Sequence, residues 1–94
     1  MKIHEFVWPD DRVEHIAEHG VTPTEVEELC FGAPLVLRTR SRGKNPVYQV
    51  LGQTRAGRYL LGVVIGFRDG RAYPVTARPM TARERQRFKQ WRDR

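Results

Sequence analysis

The chain reads as an α+β domain in the order β-α-α-β-β-β-β-α, with two early helices and one late helix on an antiparallel sheet of four to five strands. Three observations lead there. Apolar residues recur at helical spacing before Gly32 and at a period of 2 from Pro34 onward. Thr22-Pro23-Thr24-Glu25 and Thr81-Ala82-Arg83-Glu84 both have the Thr-x-x-Glu spacing of a capping box, which marks a helix start. Asp69-Gly70, set between two apolar runs, is the signature of a hairpin turn.

Ile3 to Trp8 is predicted as a short first strand, stopped by Pro9. Val13, Ile16 and Ala17 then form one face of a helix over Asp10–His19, with Asp10 and Asp11 at the positive end of its dipole and Gly20 placed as the C′ glycine. Thr22 caps the next helix with Pro23 at N1, and Val26, Leu29 and Cys30 make its buried stripe. Pro34–Arg40 alternates as a strand, and Ser41 to Pro46 is a loop. Val47–Gln53 is the next strand, and Thr54–Gly57 turns the chain. Arg58–Arg68 is apolar on both faces, as a central strand covered on both sides must be. Arg71–Arg78 returns, and a final helix runs from Thr81 to about Arg92, anchored by Phe88 and Trp91. The helices are expected on one face of the antiparallel meander. Gly62 and Gly66, at period 2, are expected to let a helix approach closely.

Ninety-four residues make one domain, which buries roughly 60–70% of its unfolded surface. Cys30 is the only cysteine, so an internal disulfide and a tetrahedral thiolate metal site are both excluded. The start, MKIHEFVWPDD, has no signal-type apolar region, and no apolar run approaches the length of a membrane span. A soluble cytoplasmic protein without membrane partners is expected. No repeat or long linker divides the chain.

Charge is divided along the sequence. Residues 1–37 carry two basic and eight acidic side chains, a net of −6, and residues 38–94 carry fifteen basic and three acidic, a net of +12. Most of that basic half is arginine, whose fork matches phosphate geometry, so RNA is the first partner expected. His15 and His19 share a helix face, but HIAEH lacks the glutamate spacing of a zincin and no third ligand is evident, so no metal or cofactor is expected. His19, at a helix end before Gly20, sits where the dipole favours a cation and a proton-transfer role. Arg40, Arg42, Arg58, Arg78 and Arg85 fall at strand ends, in a loop or at the last helix start, and are expected to converge at one end of the sheet. Such a set can cut RNA without metal: the 2′-hydroxyl attacks the adjacent phosphorus, guanidiniums stabilise the added charge, and a histidine, tyrosine or arginine moves the protons.

The residues also resemble a family. Trp8 with the acidic residues after it, His19-Gly20-Val21 leading to Glu25 and Glu28, Leu51-Gly52-Gln53-Thr54 with Gly57-Arg58-Tyr59-Leu60, and Thr76-Ala77-Arg78-Pro79-Met80-Thr81 with Glu84-Arg85 are similar to the successive motifs of BrnT-like toxins. The resemblance spans nearly the whole chain. It implies a RelE-like fold, metal-free ribonuclease activity that arrests translation, and a cognate antitoxin, usually of ribbon-helix-helix type, through which oligomers could form. His19, Arg58, Arg78, Glu84 and Arg85 stand on matching motif positions. The expected site therefore has Arg58 and Arg78 on the scissile phosphate beside Arg85, and His19 or Tyr48 as proton carrier. Arg40, Arg42, Lys44, Arg55 and Arg83 are expected to hold the RNA. Glu18 stands where the family often has lysine, and Asn45-Pro46-Val47 lacks its usual acidic and arginine residues. The alternative reading is a non-catalytic basic RNA- or protein-binding module of the same fold.

Overall fold

The computed structural model describes residues 1–40 and 43–94. Its elements are β1 (Glu5–Phe6), α1 (Asp10–Ala17), α2 (Pro23–Phe31), β2 (Leu35–Thr39), β3 (Val47–Gln53), β4 (Tyr59–Gly66), β5 (Arg71–Pro79) and α3 (Ala82–Arg92), the order expected from the sequence. The five strands form one sheet, β1-β5-β4-β3-β2. From β2 to β5 it is an antiparallel meander, but β1 lies parallel to β5, with Glu5 opposite Arg71 and Phe6 opposite Ala72. The expected six-residue first strand is reduced to two by regular pairing, although His4 N–H donates to Gly70 O and Val7 N–H to Ala72 O on either side of it.

Local chemistry sets the helix ends. Past α1, Val21 N–H reaches back to Ile16 O and Gly20 N–H to Ala17 O, a Schellman closure that requires the positive φ of 72° held by Gly20. Both capping boxes are formed. Glu25 N–H donates to Thr22 Oγ1 at 3.2 Å and Thr22 N–H to Glu25 Oε1 at 3.1 Å; Thr81 and Glu84 exchange the same two bonds at 3.2 and 2.8 Å.

Two apolar layers sandwich the sheet. On one side Ile16, Val21, Val26, Leu29 and Cys30 of the α1–α2 half pack on Val50, Leu60, Val64, Ala72 and Ala77. On the other, Phe88 packs on Leu51 and Leu61, with Trp91, Tyr59, Leu35 and Leu37 around it. The expectation that all helices share one face is therefore corrected: α3 covers the face opposite α1 and α2. The reason was present in β4, whose alternate residues Leu60 and Leu61 are both buried and so both need cover.

The two strand glycines serve different neighbours. A Cβ on Gly62 would meet Leu29 Cδ2 of α2 at 3.4 Å, the close helix approach expected. At Gly66 the neighbour is instead the Tyr48 ring, whose Cε2 would lie 3.1 Å from an added Cβ. A register irregularity between Val63 and Val64 marks a bulge in the β4–β5 ladder. There Arg12 Nη1 donates to Val75 O, and His15 Nε2 lies 3.0 Å from Thr76 Oγ1. His15 is thus turned to the sheet.

Leu60, fully buried beneath α1 and α2, should report the larger core: Leu60→Ala is expected to lower unfolding free energy by about 2–5 kcal/mol in urea denaturation.

Candidate nucleic-acid interface

Two arginines expected to grip phosphate are held by the capping-box glutamates of two helices, on opposite faces. Arg78, from β5, makes a bidentate pair with Glu84 (Nη1–Oε1 2.8 Å, Nη2–Oε2 2.9 Å) and also donates to Pro79 O. Glu84 is the glutamate of the α3 capping box, so one carboxylate accepts from its own helix start and from the sheet. The Arg78 fork, against partial burial and with help from the Thr81 N–H, pulls the Glu84 pKa down to about 2. Arg58, just before β4, donates through Nη1 to Glu25 Oε2 at 2.8 Å and to Gly20 O at 3.0 Å, binding the α2 capping glutamate and the α1–α2 turn. Burial raises the Glu25 pKa, but Arg58 and the Thr22 N–H outweigh it and the net shift is downward.

The expected single cradle is accordingly divided. Arg58 lies on the α1–α2 side, whereas Arg78 and Arg85 lie on the α3 side. His19 is exposed at the end of α1, its ring edge-on to His15 at 5.3 Å between centroids, near the Arg58 corner and away from Arg78. Arg55 is exposed in the β3–β4 turn, where its N–H donates to Glu28 Oε1, and Arg83 is exposed in the first turn of α3. Arg40, Lys44 and Tyr48 sit at the other end of the sheet, because Thr39 pairs with Val47 while Gln53 pairs with Tyr59. β3 separates the two ends by about 20 Å, from its seven residues at 3.3 Å each. Arg42 lies outside the described residues.

What the α3 face does assemble is a tyrosine ringed by cations. The Arg85 guanidinium carbon stands 4.1 Å from the Tyr59 ring centroid and the Lys89 ammonium 5.4 Å from it, while Phe88 meets the ring edge-on at 6.2 Å. Arg92 reaches Gln53 Oε1 at 2.7 Å, beside the same tyrosine. The Arg92 guanidinium first, opposed by slight burial, and then Lys89 and Arg85 lower the Tyr59 pKa from its usual value. Arg85 and Lys89 also line a groove of about 650 Å³ along α3, together with Met80, Gln86, Gln90 and Asp93, the last paired with Arg92 at 3.0 Å. Among the described residues neither cation is paired with a carboxylate. The sequence held the signal: Arg85, Lys89 and Arg92 are spaced i, i+4, i+7, one face of a helix, and Tyr59 shares strand parity with Leu61 beneath it.

Elsewhere the chemistry is quiet. Burial, and next the charge of Glu27, push the Cys30 thiol up to about 12, so at neutral pH it is a protonated core side chain and not a nucleophile. Among the described residues no group of three His, Cys, Asp or Glu side chains is placed to hold a metal ion, and no helix is long and apolar enough to cross a membrane. Comparison with known proteins finds no matching family model and no matching curated relative.

The Glu84 shift fixes a pH signature. Its folded pKa of about 2 lies below the unfolded carboxylate value, so the stabilisation is complete above about pH 4.5 and is lost as pH falls through 2. The pair is partly exposed, which screens it to roughly 1 kcal/mol. Glu84→Gln should therefore be less stable than the wild type by that amount at neutral pH, and the gap should close on acidification when unfolding is followed by circular dichroism.

Proposed function

We propose that this protein is a metal-independent endoribonuclease, the toxin of a toxin–antitoxin pair, and that it works through the face that carries α3. The single observation that carries this reading is Tyr59, a phenol of lowered pKa set among Arg85, Lys89 and Arg92. The open groove beside Arg85 and Lys89 offers room for a strand. In this reading Tyr59, ionised, takes the proton of a ribose 2′-hydroxyl. The 2′-oxygen forms a bond to the adjacent phosphorus while the bond from phosphorus to the 5′-oxygen breaks. Arg85 and Arg92 neutralise the charge that builds on the phosphorane, and the Lys89 ammonium gives its proton to the departing 5′-oxygen. The products are a 2′,3′-cyclic phosphate and a 5′-hydroxyl.

This assignment moves the chemistry away from His19, Tyr48 and Arg58, and it gives Arg78 the task of holding α3 in place through Glu84. Arg83, exposed in the same helix, extends the basic surface for the RNA backbone. The antitoxin, of ribbon-helix-helix type, would cover the α3 face with an acidic segment, and the complex would reside in the cytoplasm. A non-catalytic RNA- or protein-binding module is the second reading. The observation favouring it is that Arg78 spends its fork on Glu84, Arg58 donates through Nη1 to Glu25 and Gly20 O, and the two do not share a face.

Labelled RNA incubated with the protein in EDTA separates the two. Cleavage with cyclic-phosphate ends is expected, falling by about 10²–10⁴ in Tyr59→Phe and by about 10²–10³ in Arg85→Ala with folding intact. The rate should rise with pH and level off below the ordinary tyrosine value, and Arg92→Ala should move that break upward. Salt-sensitive binding without product would establish the module instead.

A further inference from the structure

A second basic cleft lies at the end of the sheet remote from Tyr59. It is built from segments far apart in sequence: Lys2 and Ile3 ahead of β1, Lys44 between β2 and β3, Tyr48 on β3, and Phe67 and Arg68 in the β4–β5 turn. Its volume is about 400 Å³, within the range of small-ligand pockets and far below what a duplex needs. No carboxylate lines it among the described residues, and there Lys2, Lys44 and Arg68 are paired with none. The acid nearest in sequence, Asp69, is already held by Arg71, whose N–H and Nε donate to it at 3.0 and 2.8 Å.

The Tyr48 ring is fixed in place: it is half-buried on the margin of the larger core and lies in the space that Gly66 leaves empty. Phe67 adds to the lining from a backbone held by the turn, its N–H donating to Arg71 O and its carbonyl accepting from Gly70 N–H. Ordering the Tyr48 ring on binding therefore costs little entropy. Unpaired cations beside a preset tyrosine ring, with Phe67 in the same lining, are the chemistry of a nucleotide site, in which ammonium and guanidinium groups take the phosphate and the rings take the base.

We propose that this cleft binds a nucleoside phosphate, presented either as a free mononucleotide or as one nucleotide of an RNA strand, independently of the α3 face. Calorimetric titration with AMP, with a tetraribonucleotide and with inorganic phosphate tests it, at salt concentrations between about 50 and 200 mM. AMP is expected to bind, more weakly as salt rises, with inorganic phosphate roughly tenfold weaker because it has no base to place on the rings. Lys44→Ala with Arg68→Ala, both exposed and outside the core, should lose roughly tenfold for AMP, whereas Arg87→Ala, exposed on α3, should leave AMP affinity unchanged. Tyr48→Leu, checked for folding by its melting curve, should erase the preference for AMP over phosphate. A tetranucleotide that binds more tightly than AMP, and loses that advantage in the double variant, identifies RNA as the source; equal affinities identify the free nucleotide. Wild-type affinity for AMP in the double variant, or inorganic phosphate binding as tightly as AMP, would overturn the proposal. RNA cleavage is read out separately, so failure here leaves the α3 face untouched, and the reverse holds as well.

Discussion

The arrangement depends most on an arginine from the sheet gripping the glutamate that already caps a helix. Glu84 accepts from Thr81 N–H and from both Nη groups of Arg78, so the start of α3 and the end of β5 are tied by one carboxylate. α3 needs that tie, because only Phe88 is fully buried among its eleven residues and Trp91 is half-buried. The same device appears at Glu25, which closes the α2 capping box and receives Arg58. Each pair joins local helix chemistry to a tertiary contact, and such agreement between levels is what lets a small core specify one structure.

The site follows from this anchoring. Tyr59 belongs to β4, while Arg85, Lys89 and Arg92 belong to α3, so the ring of charge around the phenol exists only where the helix is docked. Cations held apart by a helix repel one another and gain from an anion placed between them. In the proposed reading a phosphate would meet that need for Arg85 and Lys89 without any rearrangement of the scaffold. Arg58, Arg78 and Arg92 already have carboxylate partners in Glu25, Glu84 and Asp93.

Much of the fold was legible in local signals. Both capping boxes, the Schellman glycine at Gly20 and the turn at Asp69-Gly70 lie where the sequence put them, because each depends on a few neighbouring residues. The face taken by α3 was misjudged, although Leu60 and Leu61 together demanded cover on both sides. The parallel pairing of β1 could not be read from a two-residue ladder. The site was harder. Arginines at strand ends were grouped by sequence position, but strand parity sends Arg58 and Arg78 to opposite faces, and antiparallel register carries Arg40 and Tyr48 to the far end. Tyr59, one of three strand tyrosines in the sequence beside Tyr48 and Tyr73, is set apart only by the helix that crosses it, a tertiary fact with only the i, i+4, i+7 cation stripe as a trace.

Acidic α1 and α2 lie on one side of the sheet and cationic α3 on the other, so charge is divided across the sheet as well as along the sequence and these helices give the molecule an electrically uneven pair of faces. In the field of a polyanion such a body experiences a torque as well as a pull. If the proposed RNA is that polyanion, the torque would turn α3 forward during approach and raise the fraction of encounters that begin in a usable orientation before any contact forms.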